Sequence, residues 1–417
     1  MGNIIINVRK LCRSVFITTL AAMMAVAILD VVLTSGCSRT GLPDLSGKQR
    51  AEVTAFRLCA DMDLAQIEKE MDDKLLTGCL KYPVKCYRVD YVTLYKDEKV
   101  PTSALLIVPQ GVERTRYAAY FHGTRLSDEV FNTIAGFMLP SEYKGSRGSQ
   151  EIVQCALPLA TSGFCVIMPD YTGFGPTKDR VHPFVYYPEL FKCCLDALYA
   201  GREVLGRLGL DAGKKIWLSG WSQGAGMSLY AKRELEARYK DDFEVVANST
   251  LAGPFNICHF MSDMFEQPDK TYLTMGLYLW GTYVLNHFSE HMERPLDQIF
   301  RIPVYGQMDA VCTSPGRCKD FFRESFRTQV LDKTDKGFWS AMEEDSSNEG
   351  WTPEGRVFLH HGKDDFVVPC FNSEDAYEGL KHSGKIWLKL YEGEGHWSFV
   401  PTYMSTTIGQ FRDTFEE

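Results

Sequence analysis

Residues 215–228 read KIWLSGWSQGAGMS: a short apolar run enters Gly220-Trp221-Ser222-Gln223-Gly224 and leaves through small residues. A G-x-S-x-G between a strand and a helix makes a sharp turn that lifts the serine hydroxyl above the end of a sheet. There the helix N-terminus and a backbone N–H can meet a developing oxyanion. Gly220 and Gly224 flank the serine because a side chain at either position would strike the neighbouring strand or helix. In a chain with 34 glycines the pentapeptide decides little alone. The fold reading depends on what stands before and after it.

Upstream, Tyr117 to Phe121 is an apolar run ending in His122-Gly123-Thr124, and Phe164 to Pro169 reads as a buried strand ending in Asp170-Tyr171-Thr172-Gly173-Phe174-Gly175. Cys86 to Tyr95 and Ser103 to Pro109, either side of a charged turn, read as an opening hairpin. Tyr187 to Leu208 has the length and periodicity of a helix, as has Gly226 to Tyr239, and Phe243 to Ser249 is the next strand. Arg356 to Leu359 and Ile386 to Tyr391 complete the rhythm. Strands separated by helices of this length imply right-handed crossovers and an α/β class with a mostly parallel central sheet flanked by helices.

Acyl transfer needs a nucleophile, a base, a carboxylate to orient the base, and donors for the oxyanion. Ser222 follows a central strand, Asp365 follows the penultimate strand and His396 follows the last. All three therefore leave the same carboxyl edge of a parallel sheet and can converge. Asp364 is a neighbouring carboxylate expected to face solvent; Glu392 and Glu394 are alternative acids beside His396. Asp170 comes too early in the order and is expected to pin a loop under the site.

With H-G-x-x-D-x-x-V-P at His361 to Pro369, F-H-G-T at 121–124 and G-W-S-Q-G-A at 220–225, the chain resembles the α/β-hydrolase superfamily, and most nearly its secretory lipase and esterase branch. The resemblance covers most of the chain from Tyr87 onward. It implies Ser222 as nucleophile, His396 as base, Asp365 as acid, and the backbone N–H groups of Gln223 and Thr124 as oxyanion donors. His122, Gly123, Gly220 and Gly224 support that site, and His361 is similar to a structural histidine of the acid loop. No metal or organic cofactor is implied. The expected partner is a small-molecule or lipid ester. A peptidase or a carbohydrate-ester deacylase would use the same triad; an acidic cluster able to hold an amino group would favour the peptidase, but Asp263, Glu266 and Asp269 in the cap read first as a solvated face. A surface binding protein without turnover is the remaining alternative.

At 417 residues, 45% hydrophobic and 12% aromatic, the chain can bury one large core plus an insertion. The formal charge of -9, without a basic run, argues against a nucleic-acid partner. Arg9, Lys10 and Arg13 precede an apolar stretch from Val15 to Leu33 that ends in Leu33-Thr34-Ser35-Gly36-Cys37, and this resembles a bacterial lipoprotein signal. The expectation is an exported protein, membrane-anchored through lipid on Cys37. Of the 13 cysteines, Cys312 and Cys318 bracket a turn and are the first candidates for a disulfide, with Cys79 and Cys86 next; that most of the cysteines are buried small hydrophobes is an equally strong reading.

The expected organisation is a signal over 1–36, a polar tether over 37–50, hydrolase core over 51–254, a helical cap insertion over 255–351 and the second part of the core over 352–417. Apolar spacing from Glu52 to Leu76 predicts one or two opening helices. Within the cap, Tyr272 to Phe288 is apolar on nearly every face. Its aromatic residues should form mostly the cap's own core, with a few walling an acyl pocket.

Overall fold

The computed structural model describes residues 51–71, 73–125, 138–307 and 315–415. Cys37 and the whole expected signal and tether lie outside them, as does Cys312.

A nine-stranded sheet runs in the order β1-β2-β3-β5-β4-β6-β7-β10-β11. Its strands are β1 (Val53–Met62), β2 (Val84–Tyr95), β3 (Glu98–Pro109), β4 (Tyr117–Phe121), β5 (Cys165–Pro169), β6 (Lys215–Trp221), β7 (Glu244–Leu251), β10 (Arg356–Gly362) and β11 (Ile386–Tyr391). The strands from β5 to β11 are parallel neighbours, and β1, β2 and β3 add an antiparallel edge. Alternation along the central strands loads both faces. Tyr117, Ala119 and Phe121 of β4, with Ile216 and Leu218 of β6, enter one core. Ala118, Tyr120 and Trp217 enter the other. A strand buried on both faces reads as a continuous apolar run, which is why these segments were visible in the sequence.

The chain opens differently from the helical expectation for Glu52 to Leu76. Val53–Met62 is an edge strand, and only then come helices α1 (Leu64–Met71) and α2 (Lys74–Thr77). The strand's register shifts twice against β2, between Val53 and Ala55 and between Leu58 and Ala60. Such bulges break the two-residue alternation, so Val53 and Phe56 fall at a spacing that imitates a helix.

A π-helical turn (Ile152–Ala156) and α3 (Leu157–Thr161) lead into β5, and α4 (Tyr187–Arg207) and α5 (Gln223–Arg238) flank β6. Between β7 and β10 the chain forms α6 (Ile257–Glu266), α7 (Met275–Phe288), α8 (Leu296–Ile299), α9 (Cys318–Phe321), α10 (Glu324–Leu331) and α11 (Lys336–Asp345), with a small pair β8 (Thr271–Tyr272) and β9 (Gly316–Arg317) outside the main sheet. Tyr278, Leu279, Trp280, Tyr283 and Val284 of α7 join the large core, so its apolar girth serves packing. The chain ends in α12 (Phe371–Leu380) and α13 (Val400–Arg412).

Among the described residues the cysteines are free thiols, Cys79, Cys86 and Cys318 included. The Cys79–Cys86 expectation is therefore corrected: both thiols are buried in the same apolar cluster as α1 and α3 and act there as small hydrophobes. The Cys312–Cys318 expectation involves a residue outside the described ones.

Candidate active site

β6 ends at Trp221, and Ser222 turns the chain with φ 57° and ψ -125° before α5 begins at Gln223. A non-glycine residue in that region carries roughly 1–3 kcal/mol of backbone strain, which the surroundings must hold. Its N–H donates to Leu251 O at the end of β7 (2.9 Å), and its carbonyl accepts from Ala225 and Gly226 N–H. A Cβ on Gly220 would run into the Gly224 carbonyl, and one on Gly224 into the carbonyls of Phe121 and His122. Glycine is required at both positions by close approach of backbone to backbone.

Ser222 Oγ lies 2.9 Å from His396 Nε2, and His396 Nδ1 lies 2.6 Å from Asp365 Oδ2. All three side chains are buried. Because the carboxylate only accepts, Nδ1 carries the proton toward Asp365, and Nε2 is left to accept from the serine. Asp365 is saturated: Oδ1 accepts from Val367 N–H (2.8 Å) and Val368 N–H (2.9 Å), and Oδ2 also faces His361 Nε2 at 3.2 Å. Burial alone would push this carboxyl up. The hydrogen bonds from His361 and His396 outweigh it and hold Asp365 well below the usual carboxylate range.

The other acids stand elsewhere. Asp364 is exposed, Glu392 pairs with Lys363 (2.6 Å), and Glu394 accepts from Ser398. Asp170 accepts from Ser103 Oγ (2.5 Å) and Ser141 N–H (2.8 Å), so it ties β3 to the 140–142 turn; burial raises its carboxyl to about 6. His361 bonds Ser373 Oγ and the Val368 carbonyl and braces the acid loop.

A pocket of about 470 Å³ opens above the serine, lined in part by His122, Thr124, Glu151, Trp221, Ser222 and His396. Leu277 of α7 with Met168, Val367 and Trp397 gives it an apolar wall. Thr124 N–H and Gln223 N–H have no protein acceptor among the described residues, and Gln223 opens α5, where a helix N-terminus favours negative charge. Burial drives the His122 imidazole down to about 3, so it is neutral, with Nδ1 donating to Gly123 O (2.8 Å) and its ring stacked on Tyr171 at 3.9 Å. The Gln223 side chain bonds His182 Nε2 (2.9 Å), which keeps it beside the elbow.

Trp221 and Glu151 gave no signal in the sequence, whereas His361 stands where the resemblance expected a structural histidine. Trp221 Nε1 donates to the His396 carbonyl (2.8 Å) and ties the histidine loop to the elbow; the residue lies inside the motif, at its freely variable position. His361 supports the acid from within its own motif. Glu151 reaches the site only through tertiary packing. Asp263, Glu266 and Asp269 do not line the pocket: Asp263 accepts from Gln267, and Asp269 pairs with Lys319.

A nucleophile elbow, a Ser-His-Asp relay and a parallel sheet presenting them at its carboxyl edge define the α/β-hydrolase class. The chain belongs to the alpha/beta hydrolase fold family, whose pattern it matches over residues 143–401. Among solved structures it is similar to a Legionella pneumophila protein described as a hydrolase (TM-score 0.73, 21% identity, 87% of this chain and 98% of that one). It is also similar to the rice cell wall degrading esterase LipA of Xanthomonas oryzae in a ligand-bound form (0.69, 20%, 87% and 97%). Candida antarctica lipase A in its closed state is more distant (0.57, 16%, 83% and 77%). At these identities the likeness is one of fold. No curated protein sequence matches the chain.

Proposed function

We propose that this protein is a serine hydrolase cleaving carboxylic esters of the lipase or esterase type. The observation that carries the reading is the unbroken relay from Ser222 Oγ through His396 to Asp365, buried at the floor of a pocket. In this reading His396 Nε2 takes the serine proton as Oγ attacks the acyl carbon. Gln223 and Thr124 N–H bind the oxyanion, and Asp365 stabilises the imidazolium. His396 then returns the proton to the departing alkoxide. Water, activated by the same histidine, cleaves the acyl-enzyme and regenerates Ser222. Side chains, backbone and water complete the balance, so the chemistry calls on no cofactor.

The apolar wall of Met168, Leu277, Val367 and Trp397 suits an acyl or aryl group. The named activities of the LipA esterase and lipase A also favour an ester over a peptide bond. The test is a panel of p-nitrophenyl esters from acetate to palmitate beside aminoacyl p-nitroanilides, on wild type and Ser222→Ala. Ester turnover that vanishes in the variant supports the reading; anilides preferred over every ester would replace it with a peptidase.

Export and anchoring through lipid on Cys37 form a second proposal, which rests on the charged, apolar and small-residue pattern of the amino terminus. Labelling of cells with a lipid precursor should mark the wild type and leave Cys37→Ser unmarked. A wild type that stays unlabelled in the membrane-free fraction would end it.

A further inference from the structure

Glu151 stands just ahead of the π-helical turn Ile152–Ala156, remote in sequence from each residue of the relay. Its two carboxylate oxygens lie 3.0 and 2.9 Å from Gly123 N, and Tyr120 Oη donates to Oε2 at 2.9 Å. The same side chain lines the pocket over Ser222. Gly123 immediately precedes Thr124, and the space around it is narrow: a Cβ there would come within 3.2 Å of the Trp221 ring and 3.4 Å of Glu151 Oε1. The neighbouring carbonyls are held as well, with Tyr171 Oη donating to His122 O (3.0 Å) and the His122 ring to Gly123 O. Glu151 grips the amide side.

We infer that Glu151 is the positioning residue of the oxyanion loop, fixing the His122–Gly123 peptide, the one before that carrying Thr124 N–H, so that Thr124 N–H is presented to the pocket beside Ser222. This rests on the oxyanion role proposed above for Thr124. Fixing a donor before the reaction is what makes it effective, since a donor that must reorient during the reaction gives back much of its stabilisation. The carboxylate suits the task because both of its hydrogen-bonding neighbours, Gly123 N–H and Tyr120 O–H, are donors. A protonated carboxyl would present its own hydrogen to them.

The groups facing Glu151 are Arg125 on the same loop as Gly123, Tyr120 on β4, Cys155 on the π-helical turn and Tyr171 after β5. Burial raises its carboxyl to about 7, against the hydrogen bonds of Gly123 and Tyr120 and the Arg125 cation, which lower it. The group is thus ionised above neutrality, and its hold on Gly123 weakens as pH falls through that value.

The experiment measures kcat and KM against pH for wild type, Glu151→Ala and Glu151→Gln, with Ser222→Ala and thermal melts in parallel. Glu151→Ala should lose about 10- to 100-fold in kcat. Its KM should change by less than about threefold. Glu151→Gln keeps an oxygen for Gly123 N–H and should recover kcat to within about threefold at neutral pH. Its kcat/KM should also fall toward acid with one proton fewer than wild type. Wild-type kcat in Glu151→Ala, or an acid limb unchanged in Glu151→Gln, overturns the inference. If Glu151→Ala does not fold, the Glu151→Gln profile alone decides. An active Ser222→Ala would instead bring down the reading beneath it.

Discussion

Asp365→Asn changes one atom and leaves the shape of the acid loop intact. Asp365 receives four donors: Val367 and Val368 N–H on Oδ1, His361 and His396 ring nitrogens on Oδ2. An amide has one oxygen to offer them. Two backbone N–H groups cannot reverse, so the oxygen stays on their side and the NH₂ turns to the histidines. Opposite an NH₂, His396 Nδ1 must become an acceptor, which moves the ring proton to Nε2, facing Ser222 Oγ. The serine then has no base. A tautomer error of this kind lowers kcat on the order of 10⁴-fold. At 1.36 kcal/mol per decade that is about 5 kcal/mol of lost transition-state stabilisation. The assay is kcat on the best p-nitrophenyl ester at pH 7 to 9, with a melt to show that the variant is folded. A folded Asp365→Asn retaining more than about a tenth of wild-type kcat would refute the reasoning. Since the folded carboxyl lies below its ordinary value, its contribution to stability is fully present above pH about 4 and is lost only as pH falls through the folded value.

Gly224→Ala drives a methyl into the carbonyls of Phe121 and His122 and should destabilise the fold by about 1–3 kcal/mol or more, read as a lowered Tm; an unchanged Tm would mean that the elbow has slack. Trp221→Phe removes the donor to the His396 carbonyl and should cost about 1 kcal/mol in stability, with a several-fold fall in kcat measured on the same ester. Lys232 is fully buried against Glu236, whose carboxylate also accepts from Glu354 and Gly355 N–H (3.0 Å each). Lys232→Ala strands that carboxylate and should cost about 3–5 kcal/mol in denaturant unfolding, whereas Lys232→Met together with Glu236→Gln should recover much of it.

The relay was legible because its geometry follows from topology. Ser222, Asp365 and His396 each end or follow a parallel strand, so order along the chain dictates convergence at one edge. The strands themselves were legible because burial on both faces writes them as apolar runs. β1 was misread for the opposite reason: it is an edge strand with two bulges, and an exposed, irregular strand carries neither alternation nor a continuous apolar run. The Cys79–Cys86 pair shows that spacing alone cannot separate a disulfide from two buried thiols. What holds the relay in place was hidden too. Trp221 acts through an indole N–H at a position any residue could fill, and Glu151 meets Gly123 only once β4 and the π-helical turn have packed together.

The most direct test of the account is the site of covalent modification by a fluorophosphonate in active, folded protein, located by peptide mass spectrometry. Such a reagent needs the serine, the histidine and the oxyanion donors at once. The account predicts stoichiometric label on Ser222 with parallel loss of esterase activity, and no label in Asp365→Asn over the same interval. Full activity with Ser222 unlabelled, or label on another residue with equal loss of activity, would contradict it.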